Sequence, residues 1–167
     1  MCIRDRPWAV KEALDGKISM PIYIKHELSH TLLYQHMNTI TAYFFYPRWL
    51  LEGIAVYSSN QMGTSFYPDK SETYKYIQQG IFMPPEYFDT KKEDEIKLNV
   101  KYKIAFEYSE FACIVDYLIK QYGREKFSLY ITQLLDSWHP DKVFEDVYKV
   151  DLNTCIDNFK QYVKEHD

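Results

Sequence analysis

The sequence predicts a mainly α-helical fold, on three observations. Apolar residues recur near helical spacing through residues 102–122, at Phe106, Phe111, Ile114, Val115, Leu118 and Ile119. Helix start and stop residues punctuate the chain, at Ser19 and Pro21, Pro47, Gly80, Gly123 and Asp151. The stretch His26-Glu27-Leu28-Ser29-His30 has a spacing that a helix converts into two imidazoles on one face.

The elements follow in order. Residues 7–14 read as a short helix closed at Gly16. Ser19 and Pro21 start a helix that runs to about residue 37, because Pro fits a first turn whose N–H has no partner. Residues 38–46 are rich in β-branched and aromatic side chains and fit a packed loop or a short strand equally well. A second helix is expected from Pro47 to about residue 60, then a loop over 62–69 that holds Gly63 and Pro68. Residues 71–79 read as a helix stopped by Gly80. Pro84-Pro85 marks a bend, and residues 89–100 a polar, mobile stretch. Helices are then expected over 102–122, ended by Gly123, over 124–135 and over 141–148. A last helix runs to about residue 164 behind Asp151, a good N-cap. No internal repeat or linker divides the 167 residues, so residues 1–167 are expected to form one domain.

The pentapeptide at 26–30 carries the chemistry. Residues four apart lie about 40° apart around a helix and about 6 Å along it. His26 and His30 can therefore reach one metal ion, while Glu27 stands beside it as a base for water. A catalytic zinc takes three protein ligands and leaves one position open.

Two residues compete for the third place. His36 has the spacing of the metzincin pattern, H-E-x-x-H-x-x-G-x-x-H. That pattern needs Gly where this chain has Leu33, to turn the chain back to the metal. If the helix continues through Leu33, His36 lies about 9 Å beyond His30 along the axis and off the ligand face. Glu52 is the other candidate. It sits in an apolar helix among Leu51, Ile54, Ala55 and Tyr57, where a carboxylate is costly to bury unless it is paired or binds a metal. Gly53 beside it lowers helix propensity by about 1 kcal/mol relative to Ala, which implies a close contact, expected against the metal helix.

H-E-x-x-H followed by Trp49-Leu50-Leu51-Glu52-Gly53-Ile54-Ala55 resembles the gluzincin zinc metallopeptidases, in particular the peptidase MA-like group. The likeness extends loosely to Tyr108 and Tyr117 through Gly123 and to the C-terminal helices, about residues 20–165. It implies a helical zincin-like core, one zinc ion held by His26, His30 and Glu52, and Glu27 as general base. It also implies a Tyr that stabilises the oxyanion, for which Tyr108 is the first candidate and Tyr102 the second. The implied reaction is peptide-bond hydrolysis on a peptide or protein substrate. No G-x-M-E-N-like motif for holding a free amine occurs, which favours an endopeptidase.

The chain also departs from that pattern. Thermolysin-like gluzincins place Asp four residues after the ligand Glu to orient a ligand His; here the position is Val56. Support is then expected from Ser59, Asn60 or a backbone carbonyl. Only 25 residues precede His26, too few for the β-sheet that precedes the metal helix in the family. The sheet is expected to be missing or minimal, with the native chain starting further upstream and residues 1–15 non-native or peripheral. The competing function is a catalytically inactive zinc-binding or peptide-binding module.

Composition narrows the remaining classes. A net charge of −4 gives no footprint for nucleic acid. Mean hydropathy of −0.44 and the lack of a long apolar run argue against a membrane span. The first residues carry no signal peptide; an upstream segment with a signal would place the protein outside the cytoplasm. Three Cys without C-x-x-C indicate neither a disulfide framework nor a thiolate zinc site, and Cys113 reads as a core thiol. Most of the sixteen Tyr and ten Phe are expected in the core.

Overall fold

The computed structural model describes residues 14–37 and 46–166. Among them are seven α-helices, one 3-10 turn and no strand, so the fold is mainly α. The helix expected at 7–14 and the undecided stretch 38–46 fall almost wholly outside the described residues.

Helix α1 spans Met20–Gln35, with Ser19 in extended conformation as N-cap and Pro21 in the first turn. Its only buried residues are His26 and His30. Ile24, Leu28 and Leu32, four residues apart, form an apolar stripe that is about half exposed. Helix α2 spans Arg48–Ser59. Pro47 stands just before it as N-cap rather than inside its first turn. Asn60 closes it in the left-handed region at φ 54°, and the N–H of Gln61 returns to the carbonyl of Val56.

Helix α3 spans Lys70–Gln78, capped by Asp69, whose side chain accepts the N–H of Glu72. The polar stretch after Pro84-Pro85 contains a 3-10 turn, Lys91–Glu95, started by the Thr90 hydroxyl accepting the N–H of Lys92. An ion pair of 3.0 Å ties Glu93 to Lys103. Helix α4, Lys103–Tyr122, is the longest and the most buried. Phe106, Phe111, Ile114, Val115 and Leu118 are all buried, as their spacing predicts. Helices α5 (Arg124–Leu135), α6 (Pro140–Tyr148) and α7 (Leu152–Glu165) complete the bundle. Asp151 caps α7 by accepting the N–H of Thr154.

The core gathers around α4, which packs most extensively against α2. Gly53 explains how closely. A Cβ there would lie 2.7 Å from the carbonyl oxygen of Phe111. The close contact thus exists, but its partner is α4 rather than α1, against which the sequence places it. Aromatic rings fill the C-terminal half, where Tyr130, Phe144 and Tyr148 pack at centroid distances of 4.6–5.3 Å. Cys113 and Cys155 are buried free thiols. No helix is long and apolar enough to cross a membrane among the described residues.

Candidate metal centre

Helices α1 and α2 pack side by side, and their facing sides bring three side chains to one point. His26 and His30 stand one turn apart on α1, with Nε2 atoms 3.2 Å from each other and ring planes at 76°. Glu52 projects from α2 toward both. Its Oε2 lies 3.5 Å from Nε2 of His26 and 3.6 Å from Nε2 of His30. A tetrahedral ion with bonds of about 2.0–2.1 Å spaces its ligand atoms roughly 3.3–3.4 Å apart. The triangle fits a single zinc-sized ion.

Electrostatics agree with that fit. The Glu52 side chain is only 12% exposed, and its buried Oε2 has no hydrogen-bond partner among the described residues. A buried carboxylate oxygen in that state is costly unless a cation neutralises it. Burial pushes the Glu52 carboxyl up, but the two imidazoles beside it outweigh burial and hold it down at about 2. It is therefore an anion at neutral pH. Burial pulls His26 down; Glu52 foremost, then Gln61 and Glu27, outweigh this and raise it above 6.5. The two shifts describe one mutual attraction: the carboxylate raises His26 and the imidazoles lower Glu52, and a cation among the three would meet that same carboxylate charge.

The support of His26 comes from a residue that the sequence did not single out. Gln61 is buried, and its Oε1 accepts the Nδ1–H of His26 at 2.8 Å. That bond leaves the Nε2 lone pair aimed at the cluster. Ser59 instead bonds to the carbonyl of Val56, and Asn60 is the exposed helix cap. The expectation of Ser59 or Asn60 missed by one residue, because Gln61 lies beyond the helix and reaches back only through the left-handed turn at Asn60. An Asn cap followed by Gln was the available signal. His30 has no matching support among the described residues, where its buried Nδ1 finds no hydrogen-bond partner. A second tie between the helices joins Ser29 to Ser58 through their hydroxyls at 2.7 Å.

The other predicted residues divide. Glu27 is exposed and lies outside the tight triad, yet near enough for its charge to act on His26. Tyr108 sits in the second turn of α4 and stacks on His26, with ring centroids 6.4 Å apart and planes at 13°. Tyr102 packs on Phe66 instead, at 4.9 Å. His36 is the exposed C-cap of α1 and is absent from the metal-ligand group. The helix continues through Leu33 to Gln35, which carries His36 away from the cluster as the sequence predicts. No protein-family model, curated protein or solved structure matches the chain.

Proposed function

We propose that the protein is a zinc-dependent peptide hydrolase of gluzincin-like design, cutting within polypeptides. The triangle formed by His26, His30 and Glu52, with edges of 3.2, 3.5 and 3.6 Å, carries this proposal. A bound zinc ion would lower the pKa of water toward 7 and polarise the scissile carbonyl. Glu27, exposed beside His26, takes the proton of the attacking water and delivers it to the leaving amine. Its exposure leaves it accessible to an entering substrate. Gln61 holds the His26 ring in the tautomer that presents Nε2. Tyr108, whose ring stacks on His26, is our candidate to donate its hydroxyl to the oxygen that gains negative charge.

Two substitutions test the assignment. Wild type is expected to bind one equivalent of zinc and Glu52→Ala to lose it, as read by elemental analysis after dialysis. Glu27→Gln is expected to keep zinc and to lose at least roughly 100-fold of its activity on an unstructured protein substrate. Full zinc occupancy in Glu52→Ala would remove that ligand. Hydrolysis undiminished in Glu27→Gln would remove the base. Zinc binding with no hydrolysis in wild type would leave a metal-binding module in place of an enzyme.

A further inference from the structure

A second polar feature lies outside the metal triad. The end of α2, the start of α3, the second half of α4 and the start of α5 border an open cavity of about 560 Å³. Lys70, Asp116, Lys120 and Arg124 line it, and Val56 and Met62 supply apolar wall. Its size falls in the range of small-molecule sites, roughly 300–1,000 Å³.

The charges around it do not balance. Lys70 and Lys120 both donate to the same oxygen of Asp116, at 2.7 and 2.9 Å. Two ammonium groups are thus drawn together by one carboxylate, and one positive charge is left over. Arg124 adds another. Burial opposes ionisation of Asp116, but the two lysines outweigh it and keep the carboxyl below its ordinary range. Burial pushes the Cys113 thiol up, so it adds no negative charge to the wall. Helix α5 starts at Arg124 behind Gly123, which offers no side-chain cap, so partial positive charge from its N-terminus adds to the same side. The C-terminal end of α2 contributes the opposite sign, reduced because the N–H groups of Asn60 and Gln61 occupy the carbonyls of Tyr57 and Val56. The result is a net excess of about two positive charges in a chain whose net charge is −4.

We propose that this cavity binds a small phosphate monoester. A phosphate monoester carries about −1.5 to −2 charges at pH 7, which matches the local excess. Its three outer oxygens suit two lysines and an arginine converging from three helices. The cavity holds more than inorganic phosphate, and Val56 and Met62 offer a surface for an organic body. The site is independent of the metal triad and does not require the protein to be an enzyme.

Titration of the full chain with inorganic phosphate and with phenyl phosphate, at ionic strength matched with sodium chloride, tests it. Calorimetry is expected to show saturable binding, tighter for phenyl phosphate. Amide resonances of Cys113 and Arg124 should shift with it. Lys120→Gln and Arg124→Gln, both at exposed positions, should each weaken binding by roughly tenfold. Lys142→Gln, removing an exposed lysine of α6, should leave it unchanged. Failure of both compounds to bind at millimolar concentration would overturn the proposal. So would binding that survives the Lys120 and Arg124 substitutions, or that Lys142→Gln weakens equally. Phthalate binding more tightly than phenyl phosphate would overturn the phosphate assignment.

Discussion

Helix α1 buries two of its 16 residues, and both are histidines. Helix α4 buries twelve of its 20, nine of them apolar. The two helices are therefore held by different physics. At roughly 25 cal/mol per Å² of apolar surface, α4 is secured by area removed from water. Helix α1 leaves Ile24, Leu28 and Leu32 about half exposed, packs Leu33 and Tyr34 against the core only in part, and is tied further through His26–Gln61, Ser29–Ser58 and the approach of Glu52. On the proposal above, an ion would add to the limited cohesion that Leu33 and Tyr34 give α1.

On the same proposal, removing the metal breaks or sharpens that contrast most. Zinc at a thousand times its Kd adds about 4 kcal/mol to folded-state stability. Chelation is expected to lower hydrogen-exchange protection in α1 and leave that of α4 intact. An equal loss in both helices would refute the division. Next in size is Gly53→Ala. The added methyl would meet the Phe111 carbonyl, whose backbone cannot yield without moving α4 from α2. A loss of about 3 kcal/mol in urea unfolding is expected, while Leu28→Ser on the exposed stripe should change stability by no more than about 0.5 kcal/mol. Similar losses for the two would argue that α1 is packed as firmly as α4.

Gln61→Leu should weaken zinc binding by roughly 10–100-fold, measured by competition with a chromophoric chelator. Unfolding of the metal-free core should change less than zinc affinity does. The smallest expected effect lies inside α4. Burial raises the Glu110 carboxyl well above 4.5; the N–H of Met83, which it accepts, opposes this, and Glu107 adds to the rise. The folded state thus holds that proton more tightly than the unfolded state. Stability from Glu110 is present below pH 4.5 and falls as pH rises through the folded-state value. Glu110→Gln keeps an oxygen for Met83 and should flatten that part of the pH profile. An unchanged slope would show that Glu110 is not its source.

Local signals made most helices legible. Asp151 uses its own carboxylate to cap the helix that follows, and Gly123 at φ 88° ends α4, so both mark boundaries without any distant partner; Asp69 caps its helix in the same way, where the sequence reads only as the end of a loop. The approach of His26 to His30 was legible for a related reason, since four-residue spacing on a helix already places two imidazoles together. Partner choice was not. Gly53 announced a close approach but not which helix approached, because a missing Cβ has no direction in sequence. Pro47 fits an N-cap and a first turn alike. Gln61 escaped because its reach depends on how the chain leaves α2.

That exit turns on one surface residue. Asn60 takes a left-handed conformation that any L side chain adopts reluctantly and that β-branched ones resist most. The same turn ends a helix and swings an amide under an imidazole. A drift from Asn to Val at this exposed spot would alter no ligand and remove no core contact, yet it would slacken the grip on His26. If the triad holds an ion as proposed, its affinity would then evolve through a helix ending, at a position that a comparison of the three clustered residues alone would pass over.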